Sequence, residues 1–508
     1  DAHYTIGRVQ TPTLAMIVDR DNQIEAHKST PFWTVRVPMG GWQLISEQRY
    51  TVRREAQRIL DLTNTPGVTF DVLLKERKQQ HDKPPRLYDL TGLQKDMAKL
   101  HGLSAAKTLA ALQSLYERKL TTYPRTDSQY ITHDDLETFR QLTQGQRLVE
   151  GFIDPKDKPA EPRLELTVND KKVAGHTAIL PTMQAGADRL DALSSDEKLV
   201  LTRVVRRMWE AIGDDYVHEV TNVTAQFSGE FCETQFDNPN GFHAASTAET
   251  GFVSHSDLPI SLGWKSIEHA KPEEEDAKDE PRNIIPANLE QGRSVILPSA
   301  GPATLKEGAT KPPKPFTEAT LLAAMEHASR YVEDKELKAA LDDESHSGGI
   351  GTPATRAEVI EKLIRSAYVE RKGKQLCSTQ SGRNLIAVTA LNRKSVESTA
   401  LMEQQLTGVE HGEQDAETVM EQFRKDARSI AREACESVET NGRIIHAKQV
   451  KQAMESYGPC PKCGQPVIRK GKFWQCSTNK REKQSDGTYV SVGGCGWRLY
   501  QTVCGLSL

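Results

Sequence analysis

A tyrosine, a proline and an arginine stand together at Tyr123-Pro124-Arg125, and their types suggest phosphodiester chemistry. Pro124 disfavours the helical region for the residue before it, so the backbone at Tyr123 should be extended. In an extended chain, residues two apart point the same way, and Tyr123 and Arg125 would face one partner. A phenolic nucleophile beside a guanidinium that binds phosphate bidentately suits attack on a phosphodiester. A half-buried structural tyrosine before a turn has the same local sequence and stays an alternative.

Two further stretches are candidates to act with this motif. Thr126-Asp127-Ser128 resembles an N-cap and predicts that a helix opens directly after the tyrosine. His176-Thr177-Ala178-Ile179-Leu180-Pro181-Thr182 places a histidine before a short apolar run that a proline closes. His176 is a candidate proton carrier, although most histidines are structural and that reading stays open.

Two stretches share the order glycine, polar residue, Thr-Pro and then a helical pattern. They are Thr5-Ile6-Gly7-Arg8-Val9-Gln10-Thr11-Pro12 and Gly349-Ile350-Gly351-Thr352-Pro353-Ala354-Thr355-Arg356. Glycine lets backbone N–H groups approach a ligand, and Thr-Pro is typical of an N-cap followed by the first helical residue. Helix N-termini attract anions, so the two starts could bracket a phosphodiester backbone, with Arg8 and Gln10 as phosphate contacts.

The cysteines predict a metal site near the C-terminus. Five of the eight fall in the last 49 residues, and the first residues show no basic-then-apolar segment, so we expect metal rather than disulfides. Cys460, Cys463, Cys476 and Cys495 supply the four thiolates that suit tetrahedral zinc. Cys504 is a rival for the fourth position, because eighteen residues separate Cys476 from Cys495.

The same region is basic, although the whole chain has a net charge of −4. From Arg443 onward, eleven lysines and arginines stand against three acids. Together with Phe473, Trp474 and Trp497, this composition suits a single-stranded phosphate backbone with stacked bases. A tail that only keeps the protein in solution is the alternative.

The patterning predicts an α+β multidomain protein. The 508 residues suggest three or four structural units. Alternating apolar residues indicate strands in residues 31–82 and 214–312, and helical spacing indicates helices in residues 83–213 and 313–445. No apolar run approaches the roughly 20 residues of a membrane span, so we expect no membrane partner. The chain lacks an initiator methionine, and we expect it to be the later part of a longer polypeptide.

These motifs together resemble the type IA DNA topoisomerases, and more closely the topoisomerase III branch. The resemblance covers nearly the whole chain and includes Pro313-Lys314-Pro315-Phe316-Thr317-Glu318-Ala319-Thr320-Leu321. It implies a toroid of helical domains and a β-rich arch, followed by a C-terminal zinc ribbon. Its implied parts are helical domain IV (1–30 and 313–445), arch domain II (31–82 and 214–312), helical domain III (83–213) and the basic zinc ribbon (446–508).

The resemblance also implies a reaction. Tyr123 would form a 5′-phosphotyrosine with one strand, a second strand would pass through the gap, and the break would reseal without ATP, relaxing or decatenating DNA. Arg125 would lie on the scissile phosphate, and His176 would assist near the break. The implied DNA contacts are Thr5, Gly7, Arg8, Val9, Gln10, Thr355 and Arg356.

The resemblance implies two metals, Zn²⁺ in the ribbon and Mg²⁺ in a toprim domain that precedes the Gly7 segment. The chain begins just ahead of that segment, and Asp134-Asp135, Asp214-Asp215 and Asp342-Asp343-Glu344 lack the spacing of the toprim acids. We therefore expect this chain, without the toprim domain, to bind single strands but to cleave them poorly.

Two other classes of protein are alternative interpretations of these motifs. A single-stranded-DNA-binding protein without activity, derived from such an enzyme, remains an alternative, whereas a tyrosine recombinase needs a spaced Arg/His/Arg set that the motif does not fit. The expected partners are single-stranded DNA, a helicase and a single-strand-binding protein. We expect a monomer in the bacterial cytoplasm, at the nucleoid or a plasmid.

Overall fold

The computed structural model shows a mixed helix-and-sheet protein. It describes residues 6–173, 175–228, 251–267, 283–292, 295–296, 301–341, 349–389, 394–452, 459–465, 467–470, 473–483, 489–500, 502–503 and 506–507. Its helices are α1 (Gln10–Ala26), α2 (Arg53–Thr63), α3 (Leu90–His101), α4 (Ala105–Glu117), α5 (Leu136–Thr143), α6 (Ala187–Leu190), α7 (Ser195–Ala211), α8 (Glu318–Glu326), α9 (Lys335–Leu341), α10 (Pro353–Arg365), α11 (Gln380–Val388), α12 (Val396–Glu410) and α13 (Ala416–Gln452). No helix in these ranges is long and apolar enough to cross a bilayer.

The strands form one large sheet and several small ones. They are β1 (Pro31–Pro38), β2 (Gln43–Ser46), β3 (Thr69–Asp82), β4 (Tyr216–Ser228), β5 (Gly251–Ser261), β6 (Val295–Ile296), β7 (Thr304–Ala309), β8 (Phe316–Thr317), β9 (Val369–Lys372), β10 (Gln375–Ser378), β11 (Val467–Lys470), β12 (Phe473–Cys476), β13 (Lys480–Lys483), β14 (Tyr489–Gly493), β15 (Arg498–Tyr500), β16 (Thr502–Val503) and β17 (Leu506–Ser507).

The large sheet is antiparallel, with the strand order β6-β3-β4-β5-β2-β1-β7. Successive side chains of a strand point to opposite faces, and one face buries an apolar set that includes Val35, Leu44, Phe70 and Phe252. The rings of Phe70 and Phe252 meet edge to face, with centroids 5.1 Å apart. The amphipathic helix α2 contacts β1 and adds Ala56 to this core.

Residues 83–215 leave the large sheet and return to it at one place. β3 and β4 pair along their length, and their last pair is Asp82 with Tyr216. Between these two residues, α3, α4, α5 and α7 enclose a core that includes Leu93, Leu112 and Trp209. The helical unit that carries the tyrosine motif is therefore attached to the sheet by two neighbouring strands.

A second helical group joins the start of the chain to its later part. α1 packs against α10 and α11, and Leu14, Leu321 and Ile360 share one core. The carboxylate of Asp21 accepts hydrogen bonds from the backbone and hydroxyl of Ser378, at 2.6 and 2.7 Å. These contacts hold the Gly7 segment beside α10.

One predicted helix start is wrong, and one predicted domain boundary falls inside a helix. α1 begins at Gln10 with Val9 as its N-cap, so the N-cap predicted at Thr11 is wrong. The Thr11 hydroxyl instead accepts a hydrogen bond from the backbone N–H of Gly7 at 3.0 Å, which closes the loop before the helix. α13 extends to Gln452, so the boundary predicted at residue 446 falls inside this helix.

The two helical groups share several local features. Each has a helix with a side-chain N-cap, Asp89 for α3 and Thr317 for α8, and a later helix, α4 directly after α3 and α10 after the intervening α9. Lys119 ends α4 with φ 59° and Ala367 ends α10 with φ 55°, the two non-glycine residues with positive φ in the described ranges. α3 packs against α8 and α4 against α10. Corresponding helices therefore form the interface between the groups.

Candidate active site

The loop that carries Tyr123 (residues 121–129, the Tyr123 loop) is held by backbone pairing with residues 176–182 (the His176 segment). The N–H of Thr122 donates to the carbonyl of Leu180 at 2.9 Å, and the Thr122 hydroxyl donates to the carbonyl of Ala178 at 3.0 Å. Thr121 and Pro181 form an antiparallel bridge in the same pairing. Since buried backbone groups require partners, this pairing makes two stretches distant in sequence into one unit.

The pairing places the Tyr123 ring between two other rings. Its centroid lies 4.2 Å from that of His176, at an interplanar angle of 32°, and 5.5 Å from that of Tyr116, edge to face at 86°. Tyr123 is half-buried, whereas His176 and Arg125 are exposed and Pro124 is buried. The structure thus brings Tyr123 and His176 into contact and leaves Arg125, two residues along the chain, exposed.

The residues after Arg125 form a bonded loop. The Thr126 hydroxyl donates to the carbonyl of His176 at 3.0 Å and accepts from the N–H of Ser128 at 3.1 Å. The Ser128 hydroxyl donates to the carbonyl of Lys172 at 2.9 Å. The helix predicted to open at Thr126–Ser128 is wrong, because these side chains bond across the loop and α5 begins only at Leu136.

Residues 88–90 contact both of these segments. The carbonyl of Tyr88 accepts from the N–H of Ile179 at 2.8 Å, and the N–H of Leu90 donates to the carbonyl of Thr126 at 3.0 Å. The Tyr88 hydroxyl donates to the carboxylate of Asp96, and burial raises the Tyr88 pKa well above its usual value. Tyr88 therefore stays neutral and bonded and is unsuited to act as a second nucleophile.

Beneath Tyr88 lies a buried ionic network on α7. Arg203 and Glu210 form a bidentate pair with N–O distances of 2.7 and 2.8 Å, and both are almost fully buried. Arg207 donates to Glu210 at 2.9 Å and to Asp96 at 2.6 Å. Because each charge has a partner in the network, α3 and α7 are fixed relative to one another.

Asp89, the N-cap of α3, is 6% exposed. Its carboxylate accepts from the N–H of Gly92 at 2.6 Å and from the side-chain amide of Gln129 at 3.3 Å. Burial raises the pKa of Asp89 to about 6, with a contribution from Glu326, while Gly92, Lys95 and Gln129 oppose the shift. Asp89 was missed as a site residue in the sequence, although an Asp immediately before the first apolar residue of a helix is a cap signal.

The interface with α8 and α10 contains two polar contacts close to Asp89. Lys95 pairs with Glu326 at 2.6 Å. The guanidinium of Arg356 donates to the hydroxyl of Thr91 at 3.1 Å and to the carbonyl of Ile350 at 3.3 Å. Burial lowers the pKa of Arg356, and the charges of Glu326 and Asp89 oppose that shift.

The structure places the predicted DNA-contact residues of α10 differently from one another. Arg356 is 1% exposed and lies against α3, so in this conformation it lines no open groove. Thr355 is exposed, and its hydroxyl lies 3.0 Å from that of Thr352 in a capping box. Gly349 has φ 73°, and a Cβ there would lie 2.1 Å from the carbonyl oxygen of Met325, so the loop requires glycine.

The Gly7 segment lies against the loop before α10. A Cβ on Gly351 would lie 3.1 Å from Cγ1 of Val9, so the two glycine loops are in contact. Arg8 is exposed and pairs with Glu403 at 2.9 Å, whereas Gln10 is buried. Thr5 lies outside the described residues.

The four predicted zinc ligands come together. The sulfurs of Cys460, Cys463, Cys476 and Cys495 all lie within 4.8 Å of one another, with 3.6 Å between Cys460 and Cys495 and 3.4 Å between Cys463 and Cys476. Tetrahedral zinc with Zn–S bonds of about 2.3 Å requires sulfurs roughly 3.8 Å apart. The cluster could therefore hold a zinc ion. The rival ligand Cys504 lies outside the described residues.

Backbone turns on both sides shape this cluster. Gly464, with φ 73°, donates its N–H to the carbonyl of Cys460 at 2.8 Å and closes the first turn. On the other side, the amide of Asn479 donates to the carbonyl of Trp497 at 2.9 Å and accepts from the N–H of Gly496 at 2.8 Å. Asn479 therefore closes the long, irregular half of the cluster.

The comparisons with known proteins agree with this architecture. A family model described as DNA topoisomerase matches residues 1–421, and the chain belongs to that family, the type IA DNA topoisomerases. The DNA topoisomerase 3 of Bacillus subtilis (strain 168) is 30% identical over 477 residues, 92% of this chain and 60% of that protein. The DNA topoisomerase 3 of Bacillus licheniformis is 31% identical over 480 residues, with the same coverage. The chain thus spans about 60% of the length of these relatives.

A solved structure shows the same fold. Full-length topoisomerase I from Thermotoga maritima matches with a TM-score of 0.58 and 20% sequence identity, covering 93% of this chain and 69% of that one. At this identity the likeness establishes the architecture alone.

Asp89→Asn should stabilise the protein at neutral pH, since asparagine caps a helix about as well as aspartate and has no charge to bury. The folded-state pKa of Asp89, about 6, lies above its ordinary value of 3.8. The contribution of Asp89 to the free energy of unfolding therefore falls as pH rises from about 4 to about 6. The gain from the substitution should grow over that window to on the order of 3 kcal/mol and then level off. Urea unfolding of both proteins across the window measures it, and a gain independent of pH would contradict the assignment.

Cys476→Ser should remove the bound metal, because three thiolates and a hydroxyl hold zinc far more weakly than four thiolates. The expected result is about one zinc per chain in the wild type and close to none in the variant, by metal analysis after dialysis. Cys377→Ser is the matched control, since Cys377 is half-buried in β10, away from the cluster. Full zinc retention by Cys476→Ser would show that other ligands hold the metal.

Proposed function

We propose that this chain carries the strand-cleaving tyrosine of an ATP-independent topoisomerase of the topoisomerase III branch. Tyr123 would attack a DNA backbone, another strand would pass through the break, and resealing would relax or decatenate the DNA. The observation that carries the proposal is the half-buried Tyr123 ring against His176, with 4.2 Å between the ring centroids, while Arg125, two residues on, is exposed.

The chemistry balances without an external energy source. The phenolic oxygen of Tyr123 gives up its proton and attacks the phosphorus, a phosphotyrosine forms on the 5′ end, and the 3′ oxygen leaves and takes up a proton. Religation reverses these bonds, since the 3′ hydroxyl attacks the phosphotyrosine and releases the phenol. The phosphotyrosine ester conserves the free energy of the broken bond, so resealing needs no ATP.

The surrounding residues have separate tasks in this proposal. Arg125 would bind the scissile phosphate with two parallel hydrogen bonds and stabilise the charge of the transition state. The exposed imidazole of His176 would relay the proton or hold an oxygen near the break. Tyr116, which meets Tyr123 edge to face, would keep the phenol aimed at the phosphate.

Strand passage would use the attachment of residues 83–215 to the sheet. The helical unit is joined to the sheet through β3 and β4 and would swing about them, while its other side rests on α8 and α10 through contacts such as Lys95–Glu326. Separation of that interface would open a gap that the covalently held DNA end bridges. Because the polar contacts there can be exchanged for water, opening costs less than separating an apolar core.

DNA binding would use the surfaces named in the sequence analysis. Single-stranded DNA would contact the Gly7–Gln10 segment and Thr355, and bases would stack on Trp474 and Trp497 of the zinc-binding module, both partly exposed. Thr5 and Arg356 remain proposed contacts, Arg356 only after the interface separates. A helicase and a single-strand-binding protein would act with it at the nucleoid or a plasmid.

The magnesium ion that the resemblance implies finds no site in this part of the protein. Among the described residues, the four cysteines are the group of three or more metal-ligating side chains whose ligand atoms converge. No carboxylate cluster there fits Mg²⁺, and no step is routed through the ion. We propose that toprim acids and Mg²⁺ are required for efficient cleavage.

Tyr123→Phe should abolish covalent trapping of a labelled single-stranded oligonucleotide and leave its binding unchanged, because phenylalanine lacks only the nucleophilic oxygen. Arg125→Lys should reduce trapping by at least about tenfold, because a point charge cannot replace the planar fork. The measurement is denaturing gel analysis with the full-length enzyme, and peptide mapping places the nucleotide.

An adduct that persists in Tyr123→Phe would mean another nucleophile. Tight binding without any adduct, even in the wild-type enzyme with toprim acids and Mg²⁺, would favour the alternative of a non-enzymatic single-stranded-DNA-binding protein. Arg118→Lys is a matched control, since Arg118 is a nearby exposed arginine that bonds to the carbonyl of Ala192.

A further inference from the structure

Asp89 joins three parts of the molecule that the proposed reaction must coordinate. It caps α3 through Gly92, it accepts from Gln129 at the end of the Tyr123 loop, and it lies beside the interface with α8 and α10. The residues on either side of it, Tyr88 and Leu90, bond to the His176 and Tyr123 segments respectively. A shift of this carboxylate would therefore move the backbone bonds that reach the His176 segment and the Tyr123 loop.

The charged groups around Asp89 come from every element packed against it. Lys95 lies on its own helix α3, Glu326 on α8 and Arg356 on α10, and their charges act on one another across the interface. The Tyr123 loop contributes the neutral amide of Gln129. Only the unprotonated carboxylate can accept from Gly92 and Gln129 without needing an acceptor of its own.

We infer that Asp89 is a positioning residue, which through Gln129 and the first turn of α3 holds the Tyr123 loop in register with the face of α8 and α10. The inference rests on the proposed function, because it concerns the reach of Tyr123 to a phosphate. Its side chain does not contact the reacting atoms. Loss of the contact would let the loop move away from that face, and adduct formation would slow while binding elsewhere on the protein persists.

The test compares variants of the full-length enzyme for the rate of adduct formation and the affinity for a single-stranded oligonucleotide. Asp89→Ala removes the cap and the Gln129 contact, and Gln129→Ala removes that contact alone. Ser104→Ala is the control for helix capping, since the Ser104 hydroxyl caps α4 by accepting from the N–H of Lys107. It should cost similar stability without touching the loop.

We expect Asp89→Ala and Gln129→Ala each to slow adduct formation roughly tenfold relative to Ser104→Ala, with affinity unchanged within about twofold. If Asp89→Ala and Gln129→Ala both formed the adduct as fast as Ser104→Ala, the inference would be overturned, and Asp89 would be a helix cap only. Gln129→Ala leaves the cap intact, so the comparison survives if Asp89→Ala fails to fold.

The pH profile separates positioning from general destabilisation. In the wild type, adduct formation should fall as pH drops through about 6, where Asp89 takes up a proton and loses an acceptor. Asp89→Asn should lack that step and show at every pH the slower rate of the protonated wild type, since its amide has one acceptor oxygen where the carboxylate has two. Retention of the step in Asp89→Asn would overturn the inference. Absence of any Tyr123 adduct in the wild type would overturn the proposed function itself.

Discussion

The hydrogen bonds that Thr122 makes with the segment from Ala178 to Leu180 are the constraint on which the site depends. Neither partner is part of a regular sheet, and each would leave buried backbone groups without partners if it stood alone. Their pairing makes the chain after α4 run beside the His176 segment. Once that register exists, the contact between the two rings follows from the spacing of the residues along each segment.

The buried charges beneath the site stabilise position more than they stabilise the fold. Arg203, Glu210 and Arg356 are withdrawn from water, and each such group costs free energy that its partners only partly offset. What they contribute is geometry, because a buried charge accepts few arrangements of its neighbours. The raised pKa of Asp89 shows the same balance, since the folded protein holds an ionised carboxylate at neutral pH against the cost of desolvation.

The sequence predicted the cysteine cluster better than the long-range packing. Cys460 and Cys463 form a local knuckle that indicates a thiolate site, and the structure brings Cys476 and Cys495 to it. Tyr123-Pro124-Arg125 indicates a candidate site in the same local way, and its chemistry stays a prediction. The helix start predicted at Thr126 was wrong because a threonine followed by polar residues suits a helix N-cap and a loop held by side-chain hydrogen bonds equally well. Arg356 was expected at a groove, and the structure buries it instead. Its burial could not be predicted locally, because it depends on contact with α3, which lies in a different part of the chain.

The likeness between α3–α4 and α8–α10 was also missed. A pair of prolines precedes Tyr88 and Phe316, and a Gly-Leu or Gly-Ile step precedes each later helix. The similarity is too short to detect by eye without knowing that Lys119 and Ala367 follow their helices in the same left-handed conformation.

The ladder of β3 and β4 gives the helical unit the topology of a domain inserted into a hairpin. Asp82 and Tyr216 are cross-strand neighbours, so the chain leaves and re-enters the sheet across a gap of only about 5 Å. An ordinary turn of two to five residues could join those strands in place of residues 83–215. The sheet could therefore be made without the tyrosine-bearing unit, and that unit, with both ends side by side, could be grafted into the hairpin of an unrelated antiparallel protein.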